Sequence, residues 1–136
     1  MAFIVLIGRI LFAYLFLTSG YAHFTKRNMM APYAAAKGVP QAMAAVLAGG
    51  VLLVLGGLSV LLGIWADLGS LLLALFLIPT AILMHGFWKE TDPQAKMTEM
   101  NQFSKDLALG GAALMLLGLF SIAGDSLGLT ITGPLF

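Results

Sequence analysis

Four stretches of the chain are almost purely apolar, and shorter polar segments separate them. They run from Phe3 to Phe24, from Ala42 to Trp65, from Leu68 to Trp88 and from Asp106 to Ala123. A helix rises ~1.5 Å per residue and bilayer hydrocarbon is ~30 Å thick, so about 20 apolar residues make one crossing. The pattern therefore predicts an all-α fold: an integral membrane four-helix bundle forming a single transmembrane domain over residues 1–136.

The polar segments set the connections. Ala66-Asp67 is too short for anything but a tight turn, so the second and third spans are antiparallel neighbours. After the first span, Asn28 predicts the cap of a short interfacial helix that runs past Pro32 to Lys37 and stops at Gly38 and Pro40. Met29, Met30 and Tyr33 suit a linker lying in the interface, with a lid dipping into the bundle as the alternative. Asp92-Pro93 predicts a helix start, with a surface helix through Lys96, Met97 and Met100 before the fourth span.

Composition strengthens the membrane reading. Apolar types make up 60% of the 136 residues and charged types 10%, whereas a soluble domain carries roughly a quarter charged residues. So few charges cannot coat a water-facing surface, and the mean hydropathy of +0.99 agrees. A net charge of +1 gives no field for binding nucleic acid. The absence of cysteine excludes disulfides, thiol redox chemistry, iron–sulfur clusters and thiolate metal sites. The first span opens on Met1-Ala2-Phe3 and ends in bulky and basic residues up to Arg27, which reads as a retained helix and not as a cleaved signal.

Charge is distributed unevenly. Lys26, Arg27 and Lys37 follow the first span, and Lys89, Lys96 and Lys105 follow the third. The other side holds Arg9 with the acids Asp67 and Asp125. The positive-inside rule then predicts two cytoplasmic loops and both termini outside.

Small residues mark the packing faces. Gly49, Gly56 and Gly63 recur every seven residues, with Gly50 and Gly57 beside them, and Gly111 and Gly118 repeat the device in the fourth span. In lipid, helices associate through such close approach. Pro79 should kink the third span and free a carbonyl one turn earlier.

Polar groups at membrane depth are costly and mark candidate sites. Arg9 shares a helix face with Phe12, Phe16, Gly20 and His23. Asp67 is its nearest acid by topology, so an Arg9–Asp67 pair is expected; snorkelling and anion binding also fit. His23, Lys26, Lys37, His85, Trp88 and Asp106 all reach one depth on the basic side and form a candidate ligand site. Hydrogen-bonding groups beside aromatic walls suit a quinone headgroup or a lipid phosphate. Two histidines on different helices also match haem ligation, but nothing else in the chain points to haem. No closely spaced ligand pair supports a metal.

Several runs resemble DoxX-type membrane proteins. These are Gly8-Arg9-Ile10-Leu11 with Leu17-Thr18-Ser19-Gly20, then Tyr33-Ala34 with Gly38-Val39-Pro40, then Gly56-Gly57 with Leu62-Gly63. His85-Gly86-Phe87-Trp88 and Phe103 with Lys105-Asp106-Leu107-Ala108-Leu109-Gly110-Gly111 complete the series. Two positions depart from the family pattern: the second span lacks the acid often found before the paired glycines, and His23 stands where Lys is common. The resemblance implies a four-helix bundle in a bacterial cytoplasmic membrane, acting as a subunit of a redox or respiratory assembly with other membrane subunits as partners. A stand-alone quinone- or sulfur-linked oxidoreductase and a small-molecule carrier are the alternatives.

Overall fold

The computed structural model describes residues 1–136, and every long element in it is helical. Five helices follow one another: α1 (Ala2–Thr25), α2 (Arg27–Ala36), α3 (Ala42–Leu62), α4 (Ala66–Met84) and α5 (Pro93–Ala123). Short 3₁₀ turns at Phe87–Lys89 and Gly124–Ser126 flank α5. Four of the helices are long and apolar enough to cross a membrane. Their faces bear exposed Ile4, Leu11, Leu55, Leu75, Met115 and Ile122, which suits lipid and not water.

α3 is the central helix. It packs on α1, α2 and α4, and α5 closes against α4. Phe16 of α1, Leu53 and Val60 of α3, Leu73, Ala74 and Leu77 of α4, and Ala113 of α5 meet in one core. Adjoining glycine stripes on α3 serve two different neighbours. A Cβ on Gly56 would lie 2.7 Å from Leu73 Cγ and 2.9 Å from the Gly69 carbonyl oxygen of α4. One on Gly57 would lie 3.1 Å from Leu17 of α1. Gly49 faces Phe76 of α4, and Gly50 faces His23 and Phe24 of α1. Backbone approach at these four positions leaves no room for a side chain.

The fourth span behaves differently from the expectation. Gly111 and Gly118 have open space where a Cβ would be, and Gly110 is the residue that meets Ile78 of α4. The seven-residue repeat therefore lies one position round the helix from the packed face. Gly63 packs differently: its φ of +65° ends α3 in a left-handed cap, a conformation that glycine adopts without strain, and a Cβ there would lie 2.7 Å from the Arg9 guanidinium and 2.7 Å from Thr130 Cγ2. The turn is accordingly Gly63-Ile64-Trp65, and Ala66 and Asp67 already belong to α4.

Two further boundaries moved. α2 starts at Arg27, with Lys26 alone between it and α1, so Asn28 lies inside the helix instead of capping it. α2 rests on the bundle, with Ala31 and Ala34 packed against Val46 of α3. Asp92 does cap α5, accepting from the Ala95 amide at 2.8 Å with Pro93 behind it. That helix runs unbroken for 31 residues, so no separate surface helix precedes the span. At ~1.5 Å per residue it is about 46 Å long, more than the ~30 Å hydrocarbon needs. Its first turns therefore extend past the bilayer core.

Candidate functional site at the basic end

The ends of α4 and α2 and the overhanging turns of α5 converge at one end of the bundle. His85 stops α4 as its C-cap, and Gly86 turns the chain into the Phe87–Lys89 segment. His85 Nδ1 lies 2.7 Å from Glu99 Oε2. The other oxygen of Glu99 accepts from Lys37 Nζ and from the Tyr33 hydroxyl, both at 3.4 Å. Lys37 also pairs with Glu90 at 3.3 Å. On the far side of the imidazole, His85 Nε2 lies 3.7 Å from Asp106 Oδ2. His85 thus hydrogen-bonds one carboxylate of α5 and lies near a second without bonding it, and the bonded carboxylate, Glu99, is tied to α2.

Electrostatics define what this cluster can hold. Burial alone would pull the Lys37 ammonium down, but its hydrogen bond to Glu90 and the proximity of Tyr33 and Glu99 outweigh it, and its pKa is raised. The Tyr33 phenol is raised as well, by burial first and by the Glu99 charge next. Three carboxylates, Glu90, Glu99 and Asp106, gather around Lys37 and the His85 imidazole, with Lys105 acting on Asp106 and Lys89 on the adjoining cleft. Acidic and basic groups at this end thus nearly balance. A cleft of about 380 Å³ opens beside it, bounded by Lys37, Lys89, Glu90 and Gly86. Phe87, Trp88 and Phe103 stack edge to face next to it, with ring centroids 5.3 to 5.8 Å apart.

The six residues expected at one site are therefore divided. Lys37, His85 and Asp106 come together, and Trp88 joins the adjoining aromatic group. Lys26 is exposed at the junction of α1 and α2 and makes no polar side-chain contact with the cluster. His23 has separate surroundings: its Nδ1 bonds the Ser19 carbonyl at 2.8 Å and its ring meets Phe76 edge-on. Glu99 and Glu90 were missed. Glu99, Phe103 and Asp106 stand at i, i+4 and i+7, one face of one helix, which was legible only if α5 was read as continuous.

The expected Arg9–Asp67 pair does not form. Arg9 is buried, and its guanidinium donates to the carbonyls of Val60 at 2.8 Å, Leu61 at 2.7 Å and Leu129 at 2.8 Å. The first two are among the last carbonyls of α3, which have no intrahelical donor and carry the negative end of the helix dipole. The next two, Leu62 and Gly63, accept from the amides of Ile131 and Thr132 in the C-terminal segment. Asp67 holds the same segment, its Oδ2 accepting from the Leu135 and Phe136 amides at 2.8 and 2.9 Å. Arg9 and Asp67 are thus both engaged by backbone at the α3–α4 turn.

Comparison with known proteins gives one match. A family model described as DoxX covers residues 4–86, from α1 to the end of α4. No curated protein and no solved structure matches the chain.

Proposed function

The chain belongs to the DoxX family and is a multi-pass integral membrane protein, and from that premise we propose that it serves as a membrane subunit of a redox assembly, holding a neutral quinone-type headgroup at the His85–Glu99 cluster. The observation that supports this reading is the 2.7 Å contact between His85 and Glu99, set beside a polar cleft and three aromatic rings. Quinone reduction needs two electrons and two protons. A histidine hydrogen-bonded to one carboxylate and partly exposed can pass protons between that carboxylate and water. The electrons come from a partner subunit, because a chain without cysteine has no thiol or iron–sulfur chemistry of its own.

In this reading the cluster end faces the cytoplasm of a bacterial cell. All six Lys and Arg other than Arg9 lie in or beside the two connections at that end. Purification from native membranes tests the subunit role. A stable partner bearing a redox centre, seen by mass and absorbance, supports it. A protein that emerges alone, with no electron carrier, overturns it in favour of a stand-alone enzyme or a carrier.

A further inference from the structure

His23 stands apart from that cluster, at the inner edge of a second hollow. Its side chain is more than nine-tenths buried. The hollow holds about 230 Å³ and opens between α2, α3 and α4. Its walls are apolar, from Val46, Leu52, Phe76 and Met84 among others. Only two side chains on those walls can hydrogen-bond: His23 and Thr80.

The tautomer of His23 follows from its neighbour. A backbone carbonyl can only accept, so Nδ1, 2.8 Å from the Ser19 oxygen, must carry the proton. In the neutral ring Nε2 is then a lone-pair acceptor, and no protein group donates to it. The same wall offers a second acceptor. Pro79 has no N–H for the Leu75 carbonyl one turn back, and Leu75 and Pro79 both line the hollow. Thr80, unlike Thr18 and Ser70, does not return its hydroxyl to its own helix, although helical Thr and Ser commonly do so. Lipid tails can satisfy none of these groups.

Glycine keeps the hollow open toward the ring. A Cβ on Gly49 would lie 2.8 Å from Phe76 Cε2, pressing that ring, and would just touch His23 Cδ2 at 3.4 Å.

We propose that this hollow binds a small apolar molecule bearing a hydroxyl group, of the phenol class, with His23 Nε2 accepting the hydroxyl proton. An imidazole fixed as an acceptor selects a donor. A ligand whose oxygen is capped by a methyl group, or is only a carbonyl, leaves Nε2 unsatisfied. The site does not depend on the redox reading, because it shares no residue with the His85–Glu99 cluster.

The test uses the full chain in phospholipid nanodiscs, labelled with ¹⁵N-histidine. The chain has two histidines, so the ring spectrum has two sets of signals, and His85→Gln assigns them. 2-Naphthol is the probe and 2-methoxynaphthalene its methyl-capped control, with empty nanodiscs correcting each for partition into lipid. We expect 2-naphthol to shift His23 Nε2 saturably, with an affinity about fivefold or more above that of the ether, the ratio one hydrogen bond supplies. His23→Asn retains an N–H for Ser19 but lacks the far acceptor, and should lose that preference. Thr80→Val keeps the shape and should weaken 2-naphthol alone. Equal shifts from both probes, a non-saturating response, or a His23 signal that neither probe moves would overturn the proposal. If His23→Asn does not fold, the comparison of the two probes on the parent protein decides by itself.

Discussion

The Nε of Arg9 donates to the carbonyl of Val60 at 2.8 Å, across 51 residues of chain. That bond joins the N-terminal half of α1 to the last turn of α3, and it is buried. With the bonds to Leu61 and Leu129 it makes one guanidinium the cap of a helix and the clasp of the C-terminal segment. A planar fork with five donors suits three carbonyls, and an ammonium does not.

Arg9→Leu should therefore lower stability by about 2–4 kcal/mol, since it strands several part-buried carbonyls. Arg9→Lys should recover only part of this. Lys96→Leu, at an exposed position, should stay within about 0.5 kcal/mol. Thermal melting in detergent compares the three. Equal melting of Arg9→Leu and Lys96→Leu would show that the cap carries no stability.

Gly56→Ala and Gly111→Ala separate the two glycine repeats. The first puts a methyl 2.9 Å from the Gly69 carbonyl, which backbone cannot readily yield. It should cost about 1–3 kcal/mol, as overpacking does. The second enters open space on an exposed face and should be neutral or slightly stabilising. A reversed order would mean that α5 uses Gly111 against another chain.

His85→Gln and Glu99→Gln form a double-mutant cycle across the α4–α5 junction. The 2.7 Å contact predicts a coupling of about 0.5–3 kcal/mol, measured by unfolding of the single and double variants. Additive effects would reduce the pair to two independent surface groups and remove the relay from the functional argument.

Alkali should release α2 from the cluster. Lys37 and Tyr33 both have raised pKa values in the folded protein. For each, the proton-bound form is the one the fold favours, so its contribution is complete below the unfolded values of about 10 and is lost as pH rises through the raised ones. Amide exchange in Arg27–Ala36 should then increase above pH ~10 before the spans are affected. Lys37→Met should abolish most of that early step. A variant with the same alkaline profile as the parent would exclude this pairing as the cause.

Orientation is testable because the chain has no cysteine of its own. Thr98→Cys and Ser126→Cys each add one exposed thiol, at opposite ends of α5. An impermeant reagent on intact cells should label Ser126→Cys only. Labelling of Thr98→Cys from outside would invert the topology.

What the sequence determined by itself is whatever depends on local runs: four crossings, their order, the helix start at Asp92-Pro93 and the glycine contacts of α3. Hydrocarbon thickness turns an apolar run directly into a span, and no tertiary knowledge is needed. The partner of each polar group was decided only by the tertiary structure. Arg9 and Asp67 are close in topology and opposite in charge, yet each bonds to backbone, because the end of α3 leaves carbonyls for the guanidinium and the C-terminal segment leaves amides for the carboxylate. The two histidines both lie near helix ends on the basic side but do not share a site, since position along a helix does not fix the direction that its rotation and neighbours impose. Glu99 entered the cluster because α5 carries its face unbroken past the membrane, a continuity that a hydropathy boundary at Asp106 conceals.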